Sequence, residues 1–144
     1  MRHLTAVGIA VAVATLAGCG ESLEPTSLVG TWDATVLRFT NLANQSQSVE
    51  VIAGGGSLII TLSANSSYQA TITIPGQNPE VTSGTWVYTD LDGLTLTETG
   101  EVDGTDFNVN LSGDTMTITS TDGITFDFGA GDVPVWLDAT LVRQ

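Results

Sequence analysis

From residue 28 onward, apolar and polar side chains alternate with a period of two over short stretches. In the stretch SYQATITI, residues 67–74, Tyr68, Ala70 and Ile72 alternate with polar residues. This spacing predicts β-strands with one buried and one exposed face. The same pattern recurs along the chain, and we predict strands at 29–40, 48–53, 57–64, 67–74, 80–89, 93–99, 105–112, 114–120, 124–128 and 133–143.

Turn dipeptides separate these stretches at intervals of about ten residues. They are Asn65-Ser66, Asp92-Gly93, Asp103-Gly104, Gly113-Asp114 and Asp122-Gly123. Residues of this kind form the tight turns of hairpins, so consecutive strands should be antiparallel neighbours in a meander. We therefore predict an all-β fold, an antiparallel up-and-down β-barrel of eight to ten strands, because closure buries the apolar face and removes both sheet edges. A two-sheet β-sandwich is the alternative.

The first eighteen residues have a different pattern. Arg2 precedes an uncharged apolar run, Leu4–Leu16, which is followed by the small residues Ala17 and Gly18. A positive start, a short apolar core and small residues are typical of a secretory signal peptide. The apolar run is shorter than the ~20 residues that a membrane-spanning helix needs.

The end of this segment, Leu16-Ala17-Gly18-Cys19, resembles the lipobox of bacterial lipoproteins. The resemblance implies cleavage before Cys19, diacylglycerol on its sulfur and acylation of the new amino terminus, with palmitate as a typical acyl chain. Because Gly20 rather than Asp follows the cysteine, the resemblance also implies a lipoprotein of the outer membrane. The expected organisation is a signal peptide at 1–18, a lipid-anchored tether at 19–27 and a barrel domain at 28–144; an ordinary signal peptide with a chance cysteine is the alternative.

The first predicted strand carries a second resemblance. Gly30-Thr31-Trp32 resembles the G-x-W signature at the first strand of lipocalins. The resemblance implies a lipocalin-like barrel whose narrow end is closed by Trp32, with an arginine from the last strand packed across the indole. Arg143 is the expected partner and Arg38 the alternative. Strand alternation places Trp32, Ala34 and Val36 on one face.

Composition excludes several kinds of catalytic site. The only histidine is His3, the only cysteine is Cys19, and the three basic residues are all arginines. After cleavage the chain would lack imidazole, amine and free thiol side chains, so Ser–His and Cys–His nucleophiles, Schiff bases and zinc sites built on His or Cys are excluded. Paired carboxylates remain, but no pair stands out, and we expect neither an enzyme nor a cofactor.

The formal net charge of −13 opposes binding to nucleic acid, whose phosphates it would repel. Acidic residues are dense between Asp90 and Asp106, where oxygen ligands could suit Ca²⁺. The Asp-Gly pairs in this segment are also what tight turns require, and no EF-hand order is present. The turn interpretation is favoured, and we predict no metal site.

The mouth of a small barrel is its usual binding place. We predict a non-catalytic lipoprotein that binds a small apolar or amphipathic ligand through inward-facing side chains, namely Tyr68, Ile72, Trp86, Tyr88, Phe107, Phe126 and Phe128. The alternatives are a filled barrel that acts as a structural or interaction protein of the envelope, and a protease-inhibitor barrel. The expected partners are the membrane, through Cys19, a hydrophobic ligand and an envelope protein. Trp136, next to the inward face of the last strand, is expected to be exposed or to cover a seam.

Overall fold

A computed structural model describes residues 24–89, 92–120 and 123–144. The predicted signal peptide and Cys19 lie outside the described residues, as does the tether up to residue 23. The last residues of the tether form a short 3₁₀ turn, Pro25–Leu28, in which the Leu28 side chain is fully buried. Leu28 is thus the first residue of the described chain whose side chain is buried in the core.

The remaining elements of the described chain are ten strands whose positions agree closely with the prediction. The largest difference is at β2, which is three residues shorter than predicted; β3 and β9 are each two residues shorter. The strands are β1 (Gly30–Asn41), β2 (Ser48–Glu50), β3 (Ser57–Leu62), β4 (Ser67–Thr73), β5 (Glu80–Thr89), β6 (Gly93–Glu98), β7 (Thr105–Ser112), β8 (Thr115–Ser120), β9 (Thr125–Asp127) and β10 (Asp132–Arg143).

Every pairing between these strands is antiparallel, and the sheet closes on itself. The order is β2-β1-β3-β4-β5-β6-β7-β8-β10-β9, with an additional pairing of β1 with β10. Eight strands thus form a closed barrel, while β2 and β9 extend the wall beside β1 and β10. The predicted up-and-down barrel is confirmed, and the structure is not the alternative sandwich.

A β-bulge changes the inward face of β1 halfway along the strand. The register with β10 shifts between Ala34 and Val36. Trp32 and Ala34 are buried before the shift, whereas Leu37 and Phe39 are buried after it. The expectation that Val36 shares the face of Trp32 was wrong, because a bulge inserts one residue and so exchanges the two faces of the strand beyond it.

The two ends of the barrel differ in packing. One end, here called the floor, contains the start of β1, the end of β10 and the hairpin turns that follow β3, β5 and β7. Its side chains are almost completely buried: Leu28, Trp32, Leu62, Met116 and Leu141. The opposite end, the mouth, contains the longer connections. No helix within the described residues is long and apolar enough to cross a membrane.

Candidate ligand-binding site

A cavity of about 420 Å³ occupies the mouth half of the barrel. Every strand of the closed barrel contributes to its wall, since inward-facing positions of successive strands meet at the same height. The residues that surround it are Leu37, Phe39, Leu58, Ile60, Tyr68, Ala70, Ile72, Thr82, Leu96, Glu98, Glu101, Asp103, Thr105, Phe107, Ile118, Gly123, Ile124, Thr125, Leu137 and Ala139. The wall is thus mainly aliphatic and aromatic, as is typical of sites for small organic ligands.

Tyr68 places one hydroxyl group in this apolar wall. The side chain is 7% exposed. Burial raises the pKa of the Tyr68 hydroxyl, a hydrogen bond with Thr82 opposes the rise, and the Glu98 carboxylate adds to it. Tyr68, Thr82 and Glu98 therefore form a polar strip that runs from the wall of the cavity toward the mouth.

The mouth beside this strip carries only negative charge. Glu98 ends β6, and Glu101 and Asp103 lie in the connection to β7; all three are exposed and border the cavity. A hydrogen bond of 3.0 Å from the Glu101 N–H to the Glu98 carbonyl oxygen closes the turn between them. We call Glu98, Glu101 and Asp103 the acidic rim.

Three of the predicted ligand-binding residues, Tyr68, Ile72 and Phe107, line the cavity. Trp86 and Tyr88 lie nearer the floor and do not reach it. The Trp86 Nε1–H donates to the Ser63 carbonyl oxygen at 3.0 Å, and the Tyr88 hydroxyl donates to Asp92 Oδ1 at 3.1 Å. Both side chains are thus held by groups of the hairpin turns at the floor end.

The other two predicted residues, Phe126 and Phe128, are partly buried against the core but do not line the cavity. Phe126 stacks on Phe39, with ring centroids 4.6 Å apart and planes inclined by 16°. Phe128 contacts the edge of Phe126 at 4.9 Å and 70°. Only Phe39 of this trio borders the cavity, so Phe126 and Phe128 contact a lining residue without lining the cavity themselves.

Most lining residues were absent from the sequence-based selection, which favoured aromatic side chains. Leu58, Ile60 and Leu96 lie on faces that the alternation identified as apolar. Alternation does not tell which half of a strand meets the cavity; that requires the direction and tilt of the strand in the barrel. Leu37 and Phe39 were missed because uninterrupted alternation assigns them to the face opposite Trp32, whereas the bulge turns them inward like Trp32.

The floor contains the predicted contact between Trp32 and Arg143. The guanidinium carbon of Arg143 lies 4.3 Å from the centroid of the indole. Its Nη1 and Nη2 donate to the carbonyl oxygens of Val29 at 2.7 Å and Ser27 at 2.6 Å, and its Nε lies 3.3 Å from Asp114 Oδ1. The arginine thereby ties the last strand to the turn before the first.

Gly30 leaves room for this arginine. The residue has φ +148°, and a Cβ built there would lie 2.6 Å from Arg143 Nη1. A side chain would have to displace the guanidinium, and positive φ is itself unfavourable for L-residues. The glycine of the G-x-W segment is therefore needed because a larger residue would clash with the guanidinium of Arg143.

A shallow groove of about 180 Å³ lies on the outer wall. Trp136 and Leu42, each 48% exposed, border it together with Asn41 and Asp138. Trp136 pairs across the strands with Thr40 of β1, so the indole covers the seam where the barrel closes and remains half exposed. The groove is less than half the volume of the cavity.

Within the described part of the chain, no group of three or more His, Cys, Asp or Glu side chains could hold a metal ion. The best-formed site is therefore the mouth cavity with its acidic rim. No protein-family model matches the chain, and no curated protein matches it.

Proposed function

We propose that this protein is a non-catalytic carrier of a small apolar or amphipathic ligand, anchored by a lipid at Cys19 to the bacterial outer membrane. The observation that carries the proposal is the apolar cavity of about 420 Å³ at the mouth. Sites for small ligands typically measure ~300–1,000 Å³. A cavity of this size in a small barrel gives up apolar contacts that a filled core would make.

The alternative of a filled barrel acting only as a structural protein is less well supported. A barrel of eight strands can fill its interior with side chains or hold one small ligand. Here the floor half is filled by Trp32, Leu62, Met116 and Leu141, whereas the mouth half is open. The interior is thus divided into a packed part that supplies stability and an open part that can receive a ligand.

The proposed anchor would place the mouth away from the membrane. Cys19 precedes Glu24, the first described residue, by five positions, and the carbonyl of Ser27 is bonded to Arg143 at the floor. Five residues span at most about 18 Å when fully extended. A lipid on Cys19 would therefore hold the floor near the bilayer, so that ligand would enter from the aqueous side.

Metabolic labelling with palmitate tests the anchor. We expect label and membrane association in the native chain, and loss of both in the Cys19→Ser variant. Label that persists in the variant, or a native chain found wholly in the soluble fraction, would refute the anchor without affecting the cavity.

Fluorescence of the neutral dye N-phenyl-1-naphthylamine tests the carrier function. The full-length chain with Cys19→Ser avoids detergent, which would compete for the cavity. We expect saturable enhancement at a 1:1 ratio, and a native mass spectrum that shows retained ligand. Ala70→Trp would fill the cavity and should reduce the affinity at least tenfold.

The neighbouring Gln69 provides the matched control, since it is exposed on the outer face of the same strand. Gln69→Trp adds the same side chain outside the barrel and should leave dye binding unchanged. If circular dichroism shows that both variants are folded and both bind the dye equally, the dye binds outside the cavity and the proposal is overturned.

A further inference from the structure

We infer that the ligand of the mouth cavity is an amphiphile with an apolar tail and a cationic head group, such as an alkylammonium compound, rather than a fatty acid anion. This inference rests on the proposed carrier function. It follows from the way the lining residues are distributed: aliphatic side chains form the wall of the cavity, and carboxylates lie at one side of its opening.

The geometry fixes the orientation of such a ligand. Below the rim, Leu58, Ile60, Leu96 and Ile118 offer no polar group to a buried head, and the Tyr68 hydroxyl is already hydrogen-bonded with Thr82. A charged head placed there would lose its hydration without compensation. The tail must therefore occupy the wall region, and the head must remain at the mouth, beside Glu98, Glu101 and Asp103.

Among the residues that the structure describes, no positive side chain borders the cavity. The two arginines of the described chain lie elsewhere: Arg143 is at the floor, and Arg38 is exposed on the wall of β1, outside the lining. Among the described residues, the acidic rim forms no salt bridge, since the ion pair that is present joins Arg143 to Asp114. The charge of the rim is thus uncompensated by the protein.

One residue of the rim, Glu98, also lies close enough to influence the cavity wall. Burial is the main cause of the raised pKa of Tyr68, and the Glu98 carboxylate adds to it because its field disfavours a second negative charge in the wall. A ligand carboxylate at the mouth would meet the same repulsion from three side chains, whereas an ammonium group would be attracted by all of them. One exposed ion pair contributes only ~0.2–1 kcal/mol, so the preference has to come from the sum.

A matched series of twelve-carbon amphiphiles tests the inference. Dodecylammonium, dodecanol and dodecanoate differ mainly in head charge. Each compound is titrated, below the concentration at which it aggregates, against the complex of the neutral dye with the Cys19→Ser chain, and its affinity is measured from the loss of dye fluorescence. We expect dodecylammonium to bind at least about tenfold more tightly than dodecanoate, with dodecanol between them. The advantage of the cation should shrink from 20 mM to 500 mM NaCl, because salt screens exposed charges.

Charge-removing variants locate the preference. Glu98→Gln combined with Glu101→Gln should reduce the affinity for dodecylammonium about five- to tenfold and leave dodecanol binding unchanged. The control is Asp33→Asn combined with Asp138→Asn, which removes the same charge from the outer wall, since both residues alternate with inward-facing neighbours. The control should keep the preference for the cation.

The plugged variant Ala70→Trp separates the cavity from the surface. It should lose dodecylammonium binding, whereas retained binding would mean that the cation is attracted to the acidic surface at large, and would overturn the inference. Dodecanoate binding as tightly as dodecylammonium, while the neutral dye still binds, would also overturn it and leave the carrier function intact. Failure of dye, alcohol and both ions to bind would remove the carrier function and the inference together.

Discussion

At the scale of a single residue, Arg143 holds the floor of the barrel together. Its guanidinium stacks on Trp32 and donates to the carbonyl oxygens of Val29 and Ser27. Its contact with Asp114 adds little, because that carboxylate is 83% exposed. The stabilising interactions are therefore the stacking and the two charge-assisted hydrogen bonds.

We predict that Arg143→Gln lowers the free energy of unfolding by about 1–3 kcal/mol, because the stacking and at least one of these hydrogen bonds are lost. Urea unfolding measures the change. Arg38→Gln is the control: Arg38 is exposed on the wall, and its replacement should cost less than about 0.5 kcal/mol. Equal effects of the two substitutions would contradict the role assigned to Arg143.

Glu50 stabilises the bulged part of β1 from the neighbouring strand. Its carboxylate accepts hydrogen bonds from the Leu37 N–H, at 2.7 Å, and from the Ala53 N–H. The hydrogen bond from Leu37 is the main reason that the pKa of Glu50 lies below its ordinary value; partial burial opposes the shift. A carboxylate with a lowered pKa stabilises the fold above its unfolded-state pKa, and this stability is lost as the pH falls through the folded-state pKa.

Glu50→Gln should therefore destabilise the protein at pH 7 and have a smaller effect at pH 3. We expect a loss of less than about 1 kcal/mol at neutral pH, because solvent screens a partly exposed group. Urea unfolding of both proteins at several pH values measures the difference. Glu80→Gln, which also removes a carboxylate from an exposed strand residue, is the control for the substitution itself. A constant penalty for Glu50→Gln at all pH values would contradict the assignment.

At the scale of elements, Gly84 permits close packing of β5 against β6. It pairs with Tyr68 of β4 on one side and Glu98 of β6 on the other. A Cβ built on Gly84 would lie 1.9 Å from the carbonyl oxygen of Thr97. The backbone approach is thus possible only without a side chain, and it places Glu98 of β6 and Tyr68 of β4 on either side of Gly84.

Gly84→Ala should lower the free energy of unfolding by about 2–3 kcal/mol, because the strands would have to separate. Gly54→Ala is the matched substitution, since its nearest neighbours would lie at 3.4 Å, and it should stay within about 1 kcal/mol of the native chain. The melting temperatures of the two variants, measured by thermal unfolding, show which substitution is the more destabilising. A tolerated Gly84→Ala would show that β5 and β6 can move apart without cost.

Strands and turns could be predicted where the sequence pattern that specifies them involves only neighbouring residues. The strand positions followed from alternation, and the turns from Asp-Gly and similar pairs. The bulge in β1 did not, because Thr35 and Val36 read as an ordinary continuation of the strand. Its presence depends on pairing with β10, about a hundred residues away, and it decides that Leu37 and Phe39, rather than Val36, face the interior.

At the scale of the whole molecule, the net charge is −13, and the excess negative charges repel one another in the compact state. We predict that the melting temperature at pH 7 rises by a few degrees from 10 mM to 150 mM NaCl, where the screening length falls from ~30 to ~8 Å. The effect should vanish near pH 4.1, the pI of the sequence. Salt that lowers the melting temperature at pH 7 would contradict net repulsion.

The sequence by itself determined the fold class, the positions of the strands along the chain and the predominance of acidic residues. These properties follow from neighbours along the chain, since alternation defines a strand face and a turn dipeptide reverses its direction. It also brought Trp32 and Arg143 together, through a resemblance rather than through periodicity.

Only the tertiary structure decided that the interior is filled at the floor and open at the mouth. Cavity volume depends on how inward side chains from eight strands meet at each height, and this is set by strand tilt, register and the bulge. For the same reason, Glu98, Glu101 and Asp103, which read in the sequence as residues in and beside turns, become the charged border of a cavity once β6 and β7 are placed in the barrel.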